Sequence, residues 1–242
     1  MFRKLVTVDE AKRILAQSFT AKPVGKESVL LNEAYNRVLA IDVVSSLDIP
    51  PFSRSTVDGY AVKAEDTFGA EEDRPVPLKL VGKVNVGEAP KIKVKKGTLV
   101  EIVTGAPIPD GADAVVMVEY TVRKDKIVLV HQSVSTGENV MKKGSDIRKG
   151  ETVLKKGTVL LPHEIGVLAA IGLDKVEAYK CPKVAVFSTG AEVVELGKPL
   201  REGKIFDINA YALGAGVAEC GGRPLNMGIV QDETEQMEAA FK

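Results

Sequence analysis

PPFSRSTVDGYAV, Pro50 to Val62, is the stretch at which the chain passes from a mixed opening segment into a β-rich one. Two prolines hold the backbone extended, Asp-Gly supplies a tight turn, and Tyr60-Ala61-Val62 reads as the start of a strand. Asp58 is thereby presented at an edge. On these residues alone it reads equally well as a turn residue bonding its own backbone and as a functional carboxylate.

Upstream, Thr7-Val8-Asp9-Glu10 is a capping box, and Ala11, Ile14, Leu15 and Phe19 recur at helical spacing, so a first helix is expected to end near Pro23. A further helical turn is expected over 33–37 and a strand over 38–44, where branched residues dominate. Downstream, apolar runs at 78–86, 99–103, 114–118 and 127–130 alternate with Gly, Pro and Lys-Asp punctuation, the pattern of a compact β domain. Pro162 then opens a helix over 162–171, closed by Gly172. That helix has no home in the β unit. The 141–179 segment is therefore expected to pack back against the first helix.

The layout expected is multidomain, α/β plus β. An elongated discontinuous α/β module (residues 1–48 and 143–180) carries an inserted β-rich domain (49–142) and is followed by part of a doubly wound α/β domain (181–242). In that last part Val184-Ala185-Val186-Phe187 reads as a parallel strand buried on both faces. A helix over 210–220 stops at Gly221-Gly222, a strand follows over 224–230, and Asp232 with Glu235 caps one more helix. Two strands cannot complete a two-sided sheet, so the chain is expected to be the N-terminal portion of a longer protein.

Composition narrows the function. Thirty-three basic residues balance 33 acidic ones, so no bulk positive field exists to collect nucleic acid or an anionic membrane. The two cysteines, Cys181 and Cys220, form no CxxC pair, and with no signal-peptide core the expectation is a cytoplasmic protein. Two separated histidines, His131 and His163, argue against a histidine-rich zinc site and against a Ser-His-Asp hydrolase. Chemistry here is expected to rest on carboxylates, hydroxyls and a borrowed metal.

Four glycine-bearing loops carry such groups: 55–59 (STVDG), 104–107 (TGAP), 144–148 (GSDIR) and 188–192 (STGAE). Loops of this kind offer backbone N–H groups to an anion while neighbouring carboxylates hold a hard cation, a pairing suited to phosphate chemistry. Each has a plainer reading. Thr104-Gly105 can be a simple turn, Asp146 can pair with Arg148 or Lys143 at the surface, and Asp207 and Asn209 can be caps for the helix that follows.

Taken together these segments resemble the molybdopterin molybdenumtransferase family, related to the E domain of gephyrin. The resemblance is carried by Arg37-Val38-Leu39-Ala40 with Asp42-Val43, by P-x-F-x-x-S-x-x-D-G-Y-A-V at 50–62, by TGAPIPDGADAVV at 104–116, by Gly144-Ser145-Asp146-Ile147, by Ser188-Thr189-Gly190-x-Glu192 and by Asp207-x-Asn209. It implies an elongated homodimer with an active-site cleft between the β insertion of one subunit and the α/β domain of the other. It also implies a reaction in which adenylylated molybdopterin and molybdate react, AMP is released and the metal stays on the dithiolene, assisted by Mg2+. By this resemblance Asp58, Thr104 and Asp146 are expected to be catalytic. Ser55, Gly105, Ser188, Thr189, Gly190, Glu192, Asp207 and Asn209 are expected to bind substrate, with Asp58 and Glu192 holding the metal. A molybdopterin adenylyltransferase is the expected upstream partner, with no nucleic acid and no membrane.

The chain departs from the family pattern at Ser53, where Asp is usual, at Ala191, where Asp precedes the Glu, at Ile208, where Ser or Thr is usual, and at Asn36, where Gly is usual. Asn tolerates the left-handed conformation, so little effect is expected there. The family's later Gly-Gly-x-Ser-x-Gly loop is not among these 242 residues. Two other readings stay open: a non-catalytic dimeric scaffold of the same fold, and an insertase for tungstate, which is nearly isosteric with molybdate.

Overall fold

Gly59–Val62 and Ala114–Met117 are apolar at almost every position, and the computed structural model, which describes residues 5–230, shows why. They are neighbouring strands of a six-stranded sheet covered on both faces. Tyr60, Val62, Leu99 and Val116 enter one buried cluster, whereas Ala61, Val100, Ile102 and Val115 enter another, so alternate residues of each strand serve opposite faces. The order across the sheet is Ala114–Met117, Gly59–Val62, Thr98–Ile102, Val76–Val84, Ile127–Val130, Thr121–Lys124. All neighbours are antiparallel except Val76–Val84 with Thr98–Ile102.

Gly59 is required by proximity. A Cβ there would lie 1.9 Å from the Val116 carbonyl oxygen, so no other residue fits this strand pair without moving it. The Asp-Gly pair that reads as a turn in the sequence thus marks a strand entry as well.

The chain divides into two compact units. One comprises Asp42–Leu154 with Ala169–Gly172 and contains the six-stranded sheet; the other comprises Met1–Ile41, Lys155–Leu168 and Leu173–Lys242. In the latter, α1 (Val8–Ser18) begins as its capping box requires, with Thr7 Oγ1 accepting the Glu10 N–H at 3.2 Å. No residue of α1 is buried. The returning segment meets the strand after the helix instead: Lys175–Tyr179 pairs antiparallel with Lys26–Leu30, so backbone hydrogen bonding, not helix packing, takes it up.

The strand expected over 38–44 is reduced to Val43–Val44. Val38 and Leu39 make only single bridges, to Val159 and to Ala178, because the chain passes from one neighbour to another within two residues. Asn36 adopts the left-handed conformation with φ 60°, and the helical turn expected over 33–37 lies earlier, at Leu31–Glu33. Helix α2 (Pro162–Ala170) ends as read: Gly172 N–H bonds the Ala169 carbonyl and Leu173 N–H the Leu168 carbonyl, the paired closure that glycine permits.

In the C-terminal part, Lys183–Thr189 and Arg223–Val230 are parallel neighbours, linked through α3 (Asn209–Glu219). The expectation of burial on both faces is not met. Val184 is 37% exposed, and Leu213, Leu225 and Met227 are also exposed, because a parallel strand is covered on both faces only when helices and further strands flank it. The helix expected from Asp232 with Glu235 lies outside the described residues.

Candidate functional site

Ser55 is buried, and its hydroxyl is consumed locally, donating to the Val57 carbonyl at 2.6 Å and accepting the Val57 N–H at 3.3 Å. This closes the turn leading to Asp58. The Ser55 backbone reaches the next loop: its N–H donates to the Ala106 carbonyl at 3.0 Å, and its carbonyl accepts the Gly105 N–H at 2.8 Å. Thr104 is thereby set beside Asp58.

The result is a clasp. Asp58 Oδ1 accepts both the Thr104 N–H, at 2.6 Å, and the Thr104 hydroxyl, at 2.8 Å. Both residues are exposed, and Oδ2 takes no hydrogen bond among the described residues. The backbone N–H of Thr104, and then its hydroxyl, hold the Asp58 carboxyl below the usual carboxylate range against a smaller opposing effect of desolvation. Of the two open readings of Asp58, the turn residue bonding its own backbone is not what the side chain does; its partner lies 46 residues away.

Asp146 lies on a loop tied to the segment just before the clasp. Gly144 N–H donates to the Pro50 carbonyl at 3.0 Å, Asp146 N–H to the Ile49 carbonyl at 2.9 Å, and Lys143 N–H to Ser53 Oγ at 3.1 Å. Among the described residues the carboxylate itself accepts only the Ser145 hydroxyl, at 3.1 Å. No ion pair of Asp146 with Arg148 or Lys143 is formed among the described residues, and Lys143 Nζ lies instead 3.5 Å from Asp48 Oδ2.

The other candidates belong to the other unit. Ser188 donates from Oγ to Asp207 Oδ1 at 2.7 Å, and the same oxygen accepts the Ala210 N–H at 3.0 Å. Both side chains are buried, so Asp207 caps α3 while fixing the end of strand Lys183–Thr189. Thr189, Glu192 and Asn209 are exposed. Gly190, with φ 129°, faces the Glu192 carboxylate so closely that a Cβ there would lie 2.7 Å from Oε2. Glu192 also spaces the short parallel pair Val193–Val194 and Ile205–Phe206, its carbonyl accepting the Ile205 N–H at 2.9 Å.

Among the described residues no group of three or more His, Cys, Asp and Glu is placed to hold a metal ion. His131 engages the Glu72 carbonyl, 59 residues away, and His163 the neighbouring Glu164 carboxylate.

Residues 6–172 match the family model described as the MoeA N-terminal region (domain I and II). The chain belongs to the MoeA family. Its similarity to relatives extends beyond the matched region. A molybdopterin molybdenumtransferase of Nostoc is 40% identical over 206 residues, 85% of this chain and 47% of that protein. One from Bacillus subtilis is 35% identical over 244 residues, covering 99% of this chain and 56% of that protein. A crystal structure of the molybdopterin biosynthesis MoeA protein from Pyrococcus horikoshii superposes with TM-score 0.90 at 38% identity, covering 98% of this chain and 63% of that one. The chain spans about half the length of the curated MoeA relatives it matches. Among the described residues no helix is long and apolar enough to cross a membrane.

One residue of this MoeA fold escaped the sequence reading. Asp48 Oδ1 accepts the Lys149 N–H at 2.9 Å, and that N–H, foremost, holds the Asp48 carboxyl below its usual range. The two residues are 101 positions apart, and nothing in Leu47-Asp48-Ile49 marks the link.

Proposed function

We propose that this chain supplies the first part of a molybdopterin molybdenumtransferase of molybdenum cofactor assembly, which inserts molybdate into adenylylated molybdopterin and releases AMP. The observation that carries this reading is the Asp58–Thr104 clasp, an ionised, solvent-facing carboxylate held by two donors from a separate loop. The names of the relatives support the same process.

Cleavage of a phosphoanhydride spreads negative charge over phosphate oxygens, and catalysis consists largely of positioning groups and balancing that charge. Thr104 orients Asp58, committing Oδ1 and leaving Oδ2 toward solvent. That geometry fits Mg2+, which is commonly held by one or two carboxylates together with substrate phosphates. When bound, the ion supplies charge neutralisation at the phosphate oxygens. Glu192 is kept as a further proposed ligand. Asp146, free of any cationic partner among the described residues, serves as the second catalytic carboxylate. Gly105 and Ser55 act through their backbones, which set the spacing of the clasp.

In the other unit, buried Ser188 and Asp207 shape the loop end, while Thr189, Gly190, Glu192 and Asn209 offer substrate contacts. Tungstate is an alternative oxyanion for the same site. The homodimer, the discontinuous layout around the β insertion and a molybdopterin adenylyltransferase as upstream partner belong to the same proposal.

The test is AMP release from adenylylated molybdopterin with molybdate and magnesium, using the 242-residue chain and a protein of the relatives' full length, each beside Asp58→Asn. Release by the full-length protein that disappears in the variant supports the insertase. Full-length protein that assembles normally but releases no AMP under any oxyanion points to the scaffold reading instead.

A further inference from the structure

The loop carrying Asp146 is laid against residues 48–53 along its whole length. Ile49 N–H donates to the Ile147 carbonyl at 2.7 Å, and the Ile49 carbonyl accepts the N–H groups of Asp146 and Ile147 at 2.9 and 3.1 Å. Side chains fasten both flanks. Ser53 Oγ accepts the Lys143 N–H at 3.1 Å, and Asp48 takes the Lys149 N–H at 2.9 Å and the Lys143 ammonium at 3.5 Å. Between these points Gly144, with φ 69°, passes so near Asp48 that a Cβ would lie 3.1 Å from Oδ1. The carboxylate fills the space beneath that glycine.

The same segment continues into Ser55, whose backbone ties down Gly105 and Ala106 and so places Thr104 against Asp58. Residues 48–58 are therefore a common spine on which both carboxylate-bearing loops hang. Its upstream end is fixed to the Asp146 loop by one side chain that no substrate needs to touch.

We propose that Asp48 is a positioning residue for the reaction: by engaging Lys143, Gly144 and Lys149 it fixes where Asp146 stands relative to Asp58. The inference rests on the assignment of Asp58 and Asp146 to the proposed reaction. Ser53, where the family pattern has Asp, still anchors the loop through its hydroxyl oxygen, so the load on Asp48 is electrostatic as well as geometric: it alone presents a charge to Lys143 within this clamp.

The experiment measures AMP-release kinetics and amide hydrogen exchange over residues 143–149 in the full-length protein. Asp48→Ala removes the acceptor of the Lys149 N–H, and exchange there is expected to rise about tenfold. A catalytic group displaced by an ångström costs up to about 100-fold, so kcat is expected to fall about 10- to 100-fold with KM changing less. Asp48→Asn keeps an oxygen for that N–H but loses the charge that faces Lys143, so it should restore loop protection and bring kcat to between the alanine variant and the unaltered protein. Should Asp48→Ala fold poorly, Gly144→Ala provides a second test, pushing a Cβ against the carboxylate and straining the left-handed backbone there; it too should raise exchange over residues 143–149 and lower kcat.

Unchanged exchange and kcat in Asp48→Ala would overturn the proposal, as would faster exchange with kcat intact. An Asp58→Asn variant that loses activity while Asp146→Asn retains it would also overturn it, leaving the functional reading in place. Full activity in Asp58→Asn would sink the functional reading itself.

Discussion

Two carboxylates in this chain are held by the same pair of groups. Asp58 Oδ1 accepts one threonine hydroxyl and one backbone N–H; Asp207 Oδ1 accepts one serine hydroxyl and one backbone N–H. The hydroxyl distances, 2.8 and 2.7 Å, are nearly equal. Burial separates them. Asp207 is 6% exposed and closes a helix start, whereas Asp58 is exposed. A hydrogen-bonded carboxylate contributes stability when its alternative is an unsatisfied buried donor, and it is available for chemistry when its remaining oxygen faces water.

The largest effect should come from removing charge at the exposed member. Asp58→Asn is expected to lower AMP release by about 100-fold or more while leaving the thermal midpoint nearly unchanged. Comparing turnover and melting of the purified variant checks both halves. A large loss of stability would erase the contrast.

Next in size is the buried member. Asp207→Ala strands the Ser188 hydroxyl and the Ala210 N–H, and should cost about 2–3 kcal/mol of stability, read by denaturant unfolding. Should it cost under about 0.5 kcal/mol, as surface changes do, the capping role falls.

A smaller effect is expected at Thr104→Val, which deletes the hydroxyl donor and keeps the backbone one. Release should drop about tenfold, since one hydrogen bond to a charged group is lost. The same variant sharpens the electrostatics. Because Thr104 lowers the folded pKa of Asp58, the ionised form is favoured in the fold at pH values above the ordinary carboxylate range, and that preference is lost as pH falls through the lowered value. Titrating the Asp58 carboxyl by NMR should place its midpoint below that of a model carboxyl, with an upward shift in Thr104→Val. No shift between the two proteins would mean that the hydroxyl does not engage Asp58 in solution.

How far these features were legible depended on their range along the chain. The Thr7 cap, the two glycine-closed helix ends and the four apolar runs of the β unit were readable because each is specified within a few residues. Strand Thr121–Lys124 was missed because it is a polar, largely exposed edge that shows neither alternation nor an apolar run. Residues 38–44 were over-read because branched residues favour extended backbone without specifying a continuous partner. Within the site, Asp58 and Thr104 were each found as loop residues, yet their bond was not, and Asp48 gave no local signal at all.

That range has a consequence for the order of events when the chain is made. The Thr104–Asp58 bond closes 46 residues and the Lys149–Asp48 bond closes 101. Closure entropy grows only logarithmically, so the longer link costs about 0.7 kcal/mol more than the shorter. The expense is instead one of timing, since non-local contacts form slowly and late. A chain emerging from the ribosome has no Asp146 loop to clamp until residue 149 is free. Affinity for anything that needs the Asp58, Thr104 and Asp146 loops together should therefore appear in one step once residue 149 is free, after the six-stranded sheet is complete at Val130, with no partial binding by shorter nascent forms.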